Sequence, residues 1–356
     1  MSTNHFHDEL DQAWLFEKSQ ALGFSHWGAS SLQNPFSLEF YRQWIEQNYQ
    51  GEMEYLKRHL PQKENPKLIN ERLESALIFA HPYVPHPKAS PDSSLRTALY
   101  AQGEDYHFWL KQKLEQIAIQ LREKFPQEVF LCLSDSSPIL ERDLAYRAGL
   151  GWVGKNTCVI HPENGSFFLI GEIVTSLKTE MALQPVHDFC GSCTRCLDIC
   201  PTQALEAPRL LNAQKCISYL TIESRQIPAI ELRQGIGDWF FGCDLCQTVC
   251  PWNQKAFKQK LKLSPSLLET EPRRPLSSQA KNSLLAELKE ILTLSGKRLE
   301  KKYFGTPVMR AGPFGLRRNA IVVATNQNLS ELKSEIAKWQ EDAKLKELVS
   351  WSLSKL

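Results

Sequence analysis

The chain has 356 residues, 42% hydrophobic and 23% charged, which is enough for a sizeable core spread over two or three domains. No apolar run reaches 18 residues, which excludes a transmembrane helix, and the start MSTNHFHDELDQ lacks the basic and apolar regions of a secretory signal. A cytoplasmic location with reduced thiols is therefore expected, and ten cysteines need a role other than disulfides.

In chain order, apolar residues at helical spacing predict helices over about residues 8–22 and 38–59. The run ALIFAHPYV (76–84) predicts a buried strand ended by Pro85, followed by a loop with Pro87 and Pro91. Residues 106–125 read as a long amphipathic helix stopped by Pro126, and 129–133 as a second strand. A helix over 138–148 with proline in its first turn, a loop punctuated by Gly149, Gly151 and Gly154, and a strand FFLIGEIV (167–174) complete an α/β or α+β half. From about residue 278 the pattern is helical, with Leu284, Leu288, Ile291 and Leu292 on one face. Leu316, Ala320, Val323 and Ala324 mark a second helix, and a third starts near Leu329. The expected class is α+β, with segments 1–180 (α/β), 181–260 (ferredoxin-like) and 261–356 (helical, HEAT-like).

Net charge is only +2, but its distribution is uneven. Lys255 to Arg318 holds fifteen Lys and Arg against five Glu and no Asp, so this stretch is strongly basic while the rest sums to a negative balance.

The cysteines carry the sharpest signal. The run Cys190-x2-Cys193-x2-Cys196-x3-Cys200-Pro201 has the spacing of bacterial ferredoxins, in which three thiolates hold one four-iron cube and the fourth reaches another cluster. A second run, Cys243-x2-Cys246-x3-Cys250-Pro251, has Phe at position 240 where its first cysteine would stand, and Cys216 upstream fills the gap. The ligand count then closes at eight for two clusters. By the ferredoxin exchange rule Cys190, Cys193 and Cys196 pair with Cys250, and Cys243, Cys246 and Cys216 with Cys200. Structural zinc is the competing use of Cys-x2-Cys pairs, but it has no need of a third evenly spaced cysteine before Cys-Pro. Cys132, in an apolar strand, reads as a core filler, and Cys158 has no assigned part.

Two clusters form an electron wire, and most of the chain lies outside them. CGSCTRCLDICPTQAL, CISYLTIESR and GCDLCQTVCPWN, with SDSSPILERDLAYRAGLGWVGKNT (134–157), YAQGEDYH (100–107) and GTPVMRAGPFGLRRNA (305–320), resemble the epoxyqueuosine reductases, in order and over most of the chain. The resemblance implies a cobalamin-dependent reduction of epoxyqueuosine to queuosine at the tRNA wobble position, with loss of water. An unidentified low-potential donor would feed the clusters. No Asp-x-His-x-x-Gly motif offers a histidine to cobalt; Asp105 and His107 come nearest, with Leu at position 110. This fits a family that binds cobalamin without a protein histidine on cobalt. A two-cluster electron carrier and a cobalamin-dependent reductive dehalogenase are the competing functions.

Asp135 matches the family's proton donor; from position alone it also reads as a helix N-cap before Pro138. Arg58, Lys155, Asn156, Ser218 and Thr221 fall in matched segments and are the expected cobalamin contacts, with Tyr106 and His107 toward the substrate. Lys297, Arg298, Lys301, Lys302, Arg310, Arg317 and Arg318 are the expected phosphate contacts to the tRNA anticodon region, with Tyr303 or Phe304 available to stack.

Overall fold

A computed structural model describes residues 11–83, 94–135, 137–179, 187–259 and 277–356. The first residues of the expected 8–22 helix, the loop with Pro85, Pro87 and Pro91, Ser136, and part of the basic stretch (260–276) lie outside them.

Four strands carry the architecture of the first half: β1 (His26–Ser31), β2 (Ser75–Pro82), β3 (Phe130–Leu133) and β4 (Phe168–Thr175). They form one sheet in the order β1-β2-β4-β3, with every pairing antiparallel. The class is therefore mixed helix and sheet as expected, but this half is α+β and not α/β. Apolar runs mark buried strands without revealing their direction, and here no two neighbours run parallel.

Two helices cover the two faces. Helix α1 (Tyr106–Lys124) lies against one; a Cβ on Gly171 would stand 2.9 Å from Leu114 Cδ1, so the strand needs glycine there. Helix α2 (Glu141–Arg147) and its C-cap Ala148 lie on the other; a Cβ on Gly28 would meet the Ala148 carbonyl oxygen at 2.2 Å. Gly28, Ile78, Glu172 and Leu133 sit opposite one another across the four strands and so share the α2 face. Ile78, Val174, Leu144, Ala145 and Ala148 build the apolar cluster there.

The predicted 38–59 helix is broken into Leu38–Glu46, Glu54–Arg58 and a further short helix Leu60–Glu64. Asn48 and Gly51, both with positive φ, interrupt it between the first two. The helix expected over 138–148 begins only at Glu141, with Leu140 as its N-cap.

Contacts gather the described residues into two units. The first takes the described parts of Met1–Tyr83, Tyr106–Cys193 and Pro251–Ser264; the second takes those of Val84–Asp105, Thr194–Cys250 and Pro265–Leu356. In the second unit, Arg96–Thr97 runs parallel to Trp239–Phe241, anchored by a buried 2.7 Å ion pair between Arg96 and Asp238. Helices α3 (Ile217–Ile222), α4 (Ser278–Thr293), α5 (Gly296–Tyr303), α6 (Gly312–Asn326) and α7 (Lys346–Lys355) also belong here. Helix α6 is buried from Gly315 to Asn326 and is the axis of the unit. Asn319 donates to the Thr221 and Phe240 carbonyls, and Asn326 to those of Arg233 and Gly237. These bonds tie the C-terminal helices to the cysteine-bearing chain, so the two do not separate. Among the described residues no helix is long and apolar enough to cross a membrane.

Candidate active site

Strand β3 ends at Leu133, and two residues later Asp135 adopts φ +50°, a left-handed conformation that aspartate tolerates better than most residues. With the following helix starting at Glu141, the cap explanation for Asp135 falls away. Its carboxylate instead faces the start of α1. The Tyr106 hydroxyl donates to Asp135 Oδ2 at 2.7 Å, and His107 Nε2 lies 3.1 Å from the same oxygen. The two rings stack with centroids 4.1 Å apart. Two adjacent residues at a helix start thus aim one carboxyl group, whose side chain remains 52% exposed and accessible to a ligand.

Behind this carboxyl lies a group that sequence reading missed. Glu172 is 0% exposed, and among the described residues neither of its carboxyl oxygens has a hydrogen-bond partner. Burial raises its proton affinity well above the usual carboxylate range, and the nearby charges of Glu141 and Asp135 add to the effect. Glu141 is raised for the same reasons, burial first and Asp135 second, while the Asp135 backbone N–H acts in the opposite sense by donating to it. Lys63 is the buried cation of the group; its ammonium donates to the Ile139 carbonyl at 2.6 Å and burial pushes it down to about 8. The available signal was a lone glutamate inside FFLIGEIV, on a strand otherwise committed to apolar packing.

All ten cysteines are free of disulfides. Two one-turn helices, Arg195–Asp198 and Leu245–Thr248, precede the two Cys-Pro steps in the same way. N–H donors point at two of the sulfurs: Trp152 Nε1 at Cys190 (3.4 Å) and the Ala204 N–H at Cys200 (3.3 Å). In the second unit, burial raises the Cys216 and Cys243 thiols, and the charges of Cys216 and Cys200 add to the effect at Cys243. Such thiols give up protons to a metal rather than to water. Cys132 behaves as expected of a core residue, buried and donating to Glu115 at 3.1 Å.

Several expected contacts are engaged elsewhere. Lys155 is not left for a corrin; its ammonium donates to the carbonyls of Gly191 (2.6 Å) and Cys193 (2.9 Å) and so braces the first cysteine loop. Asn156 is buried and accepts from the Cys158 N–H to form a local turn. Thr221 is buried within α3, donating to the Ile217 carbonyl and accepting from the Gly242 N–H. Arg58, at the end of its short helix, is exposed, and Ser218 is half-buried.

The basic segment divides sharply. Lys297, Arg298 and Lys301 are exposed on the outer face of α5, and Phe304 beyond it is 84% exposed. Lys302 is paired with Glu290, and Arg310 with Glu223 at 2.5 Å. Tyr303 is turned inward, and burial raises its hydroxyl. Arg317 and Arg318, expected at phosphate, are instead turned inward. Arg317 is buried, donates to the Leu294 carbonyl and lies 4.3 Å over the Trp339 ring. Arg318, at 0% exposure, donates to the carbonyls of Ser224 and Gln226 and to Asn319. A helix apolar around most of its circumference is a central helix, and its arginines serve internal carbonyls.

Comparison with known proteins agrees with this geometry. Residues 189–253 match the family described as 4Fe-4S double cluster binding domain, and residues 63–136 match epoxyqueuosine reductase QueG, DUF1730. That second match runs from Lys63 to just past Asp135. The chain is 34% identical to an epoxyqueuosine reductase of Pseudomonas aeruginosa over 85% of this chain and 81% of the relative. It is 32% identical to that of Escherichia coli over 94% and 86%. A solved epoxyqueuosine reductase holding an epoxyqueuosine-modified tRNA-Tyr stem loop superposes with a TM-score of 0.78 at 27% identity, covering 96% of this chain and 89% of that one. With relatives of this identity matched over most of their own length, and an aimed carboxylate and a double-cluster segment lying within the matched regions, the chain belongs to the epoxyqueuosine reductase family.

Proposed function

We propose that this protein reduces the epoxide of epoxyqueuosine in tRNA to the alkene of queuosine, with Asp135 as the proton donor to the departing oxygen. The observation that carries this reading is the convergence of Tyr106 and His107 on Asp135 Oδ2 in a chain of this family. Converting an epoxide to an alkene and water consumes two electrons and two protons. Breaking the C–O bonds leaves charge on oxygen, and an aimed acid offsets it.

The 189–253 segment would hold two four-iron clusters, whose chemistry would be to supply electrons singly at low potential. The eight ligands are Cys190, Cys193, Cys196 and Cys250 for one cluster and Cys200, Cys216, Cys243 and Cys246 for the other. The second set is supported by the mutual influence of Cys200, Cys216 and Cys243. Cobalamin, the cofactor this family uses, supplies the reducing centre at the substrate when bound. The side chains expected at the corrin fit only in part, since Lys155, Asn156 and Thr221 are engaged internally. Arg58 and Ser218, each on its own unit, keep exposed surface.

The partner is tRNA, and its anticodon loop is already single-stranded, so drawing one base out costs only a few kcal/mol. Lys297, Arg298 and Lys301 are the basic side chains left to meet phosphate, with Phe304 exposed beside them to stack. A tRNA substrate supports a cytoplasmic location for the enzyme. The test is anaerobic turnover of an epoxyqueuosine-bearing stem loop by protein reconstituted with iron, sulfide and cobalamin, read by nucleoside mass spectrometry. Formation of queuosine by wild type and not by Asp135→Asn of equal cluster content is the expected result; equal product from both would overturn the assignment.

A further inference from the structure

The reaction consumes two protons per turnover, and one aspartic acid carries one. Two carboxyls behind Asp135 have no task in the chemistry described so far. Glu172 stands at the centre of the sheet, opposite Ile78 on β2 and Leu133 on β3, where the strand pattern calls for an apolar side chain. Leu133 is two residues before Asp135, so the strand that holds Glu172 also holds the root of the Asp135 loop. Glu172 points to the face covered by α2, and the first residue of α2 is Glu141, which accepts from the Asp135 backbone N–H. Glu141 keeps some exposed surface, but its Oε1 is shielded and, among the described residues, unpartnered, as are both oxygens of Glu172.

A structural ion pair does not account for the arrangement. The charged groups facing the two carboxyls are Lys63, Arg142 and Asp135. Lys63 spends a hydrogen bond on the Ile139 carbonyl, and Arg142 one on the Thr157 carbonyl. A fully buried Glu172, with the partly shielded Glu141 and Asp135 nearby and one buried ammonium among them, makes three simultaneous carboxylate charges unfavourable. Burial and mutual repulsion favour a proton on this pair, and both Glu141 and Glu172 are shifted in that direction.

We propose that Glu172 and Glu141 form a buried proton store that reloads Asp135 with the second proton of each turnover. The inference rests on the reductase reading. The balance is one epoxide, two electrons from the clusters and two protons, giving one alkene and one water. The first proton leaves Asp135 for the epoxide oxygen. The store then returns a proton to Asp135, which passes it to the same oxygen as water departs, and solvent refills the store before the next turnover. Asp135 touches substrate; Glu172 and Glu141 act through it.

The test uses the reconstituted holoenzyme with Glu172→Gln, Glu141→Gln and Asp135→Asn. Glutamine keeps shape and carries no transferable proton. Infrared spectroscopy of the wild type at neutral pH should show a carboxylic-acid carbonyl band that shifts in heavy water and is lost in Glu172→Gln. That variant should lose about tenfold or more in kcat. Its KM for the stem loop and its cluster content should stay unchanged, and its kcat–pH profile should move. Its folding stability should match or exceed the wild type at neutral pH, because a buried unpaired acid has been replaced by a neutral amide. An absent acid band, a wild-type kcat and pH profile in both glutamine variants, or a loss of activity that only follows a loss of stability would each overturn the store. Failure of the wild type itself to form queuosine would instead refute the reductase reading, and the store with it. Turnover that depends on Asp135 but not on either glutamate would refute the store alone.

Discussion

The Tyr106 hydroxyl donates a 2.7 Å hydrogen bond to Asp135 Oδ2 across 29 positions of sequence, and this bond, with His107 on the same oxygen, aims the acid. Removing the acid and removing its guide should therefore differ. Asp135→Asn should lower kcat by about a hundredfold or more, the ordinary scale of general acid catalysis. Tyr106→Phe should leave the acid in place and cost about tenfold or less, the value of one neutral hydrogen bond. Single-turnover rates on the stem loop, with iron and cobalt content matched, check both; equal losses from the two would remove the distinction.

The exposed and buried arginines and lysines of the C-terminal part should separate just as cleanly. Replacing Lys297, Arg298 and Lys301 together by Gln should weaken binding to tRNAs of differing sequence alike. It should also flatten the salt dependence by up to about 0.9 in slope per lost duplex phosphate contact. Unfolding should be unchanged. Arg318→Ala should instead lower stability by about 2–4 kcal/mol, because it strands internal acceptors in a buried site. Filter binding over a salt series beside denaturant unfolding tests the pair. Wild-type slope in the triple variant would move the tRNA elsewhere.

Lys155 bears on the clusters rather than on a corrin. Its ammonium spans the Gly191 and Cys193 carbonyls, so Lys155→Met should loosen the first cysteine loop. Iron per chain should fall toward half on brief exposure to air, while cobalamin uptake by freshly reconstituted protein stays normal. A fall in cobalamin uptake with intact iron would restore Lys155 to the cofactor.

His81 on β2 makes stability depend on pH in a stated direction. Burial, and then the Lys113 ammonium 3.0 Å away, lower its proton affinity from 6.5 to about 4. The folded protein resists protonating it while the unfolded chain does not. Its stabilising contribution is thus fully present above pH 6.5 and is lost as pH falls toward 4, by up to about 3 kcal/mol in total. His81→Gln should flatten the acid limb of a stability–pH curve. An unchanged limb would show that another group dominates acid unfolding.

Local sequence determined the cluster chemistry and the position of most elements. Thiolate ligation is a property of cysteines a few residues apart, so Cys-x2-Cys-x2-Cys-x3-Cys-Pro needs no tertiary information to be read. Leu284, Leu288, Ile291 and Leu292 are all buried as their spacing required, because helical periodicity is likewise local. Tertiary structure decided what depends on distant partners. Strand direction came from pairing, and an apolar run such as Ser75–Pro82 is the same in either direction. Arg317 and Arg318 read as surface cations until α6 became the central helix, and only then did the Ser224, Gln226 and Leu294 carbonyls become their partners. Glu172 is one letter in an apolar strand until the antiparallel register sets it beside Leu133, on the face that α2 and Glu141 cover. Charge and hydrogen bonding act through space over a few ångströms, and which side chains come that close is decided by the fold.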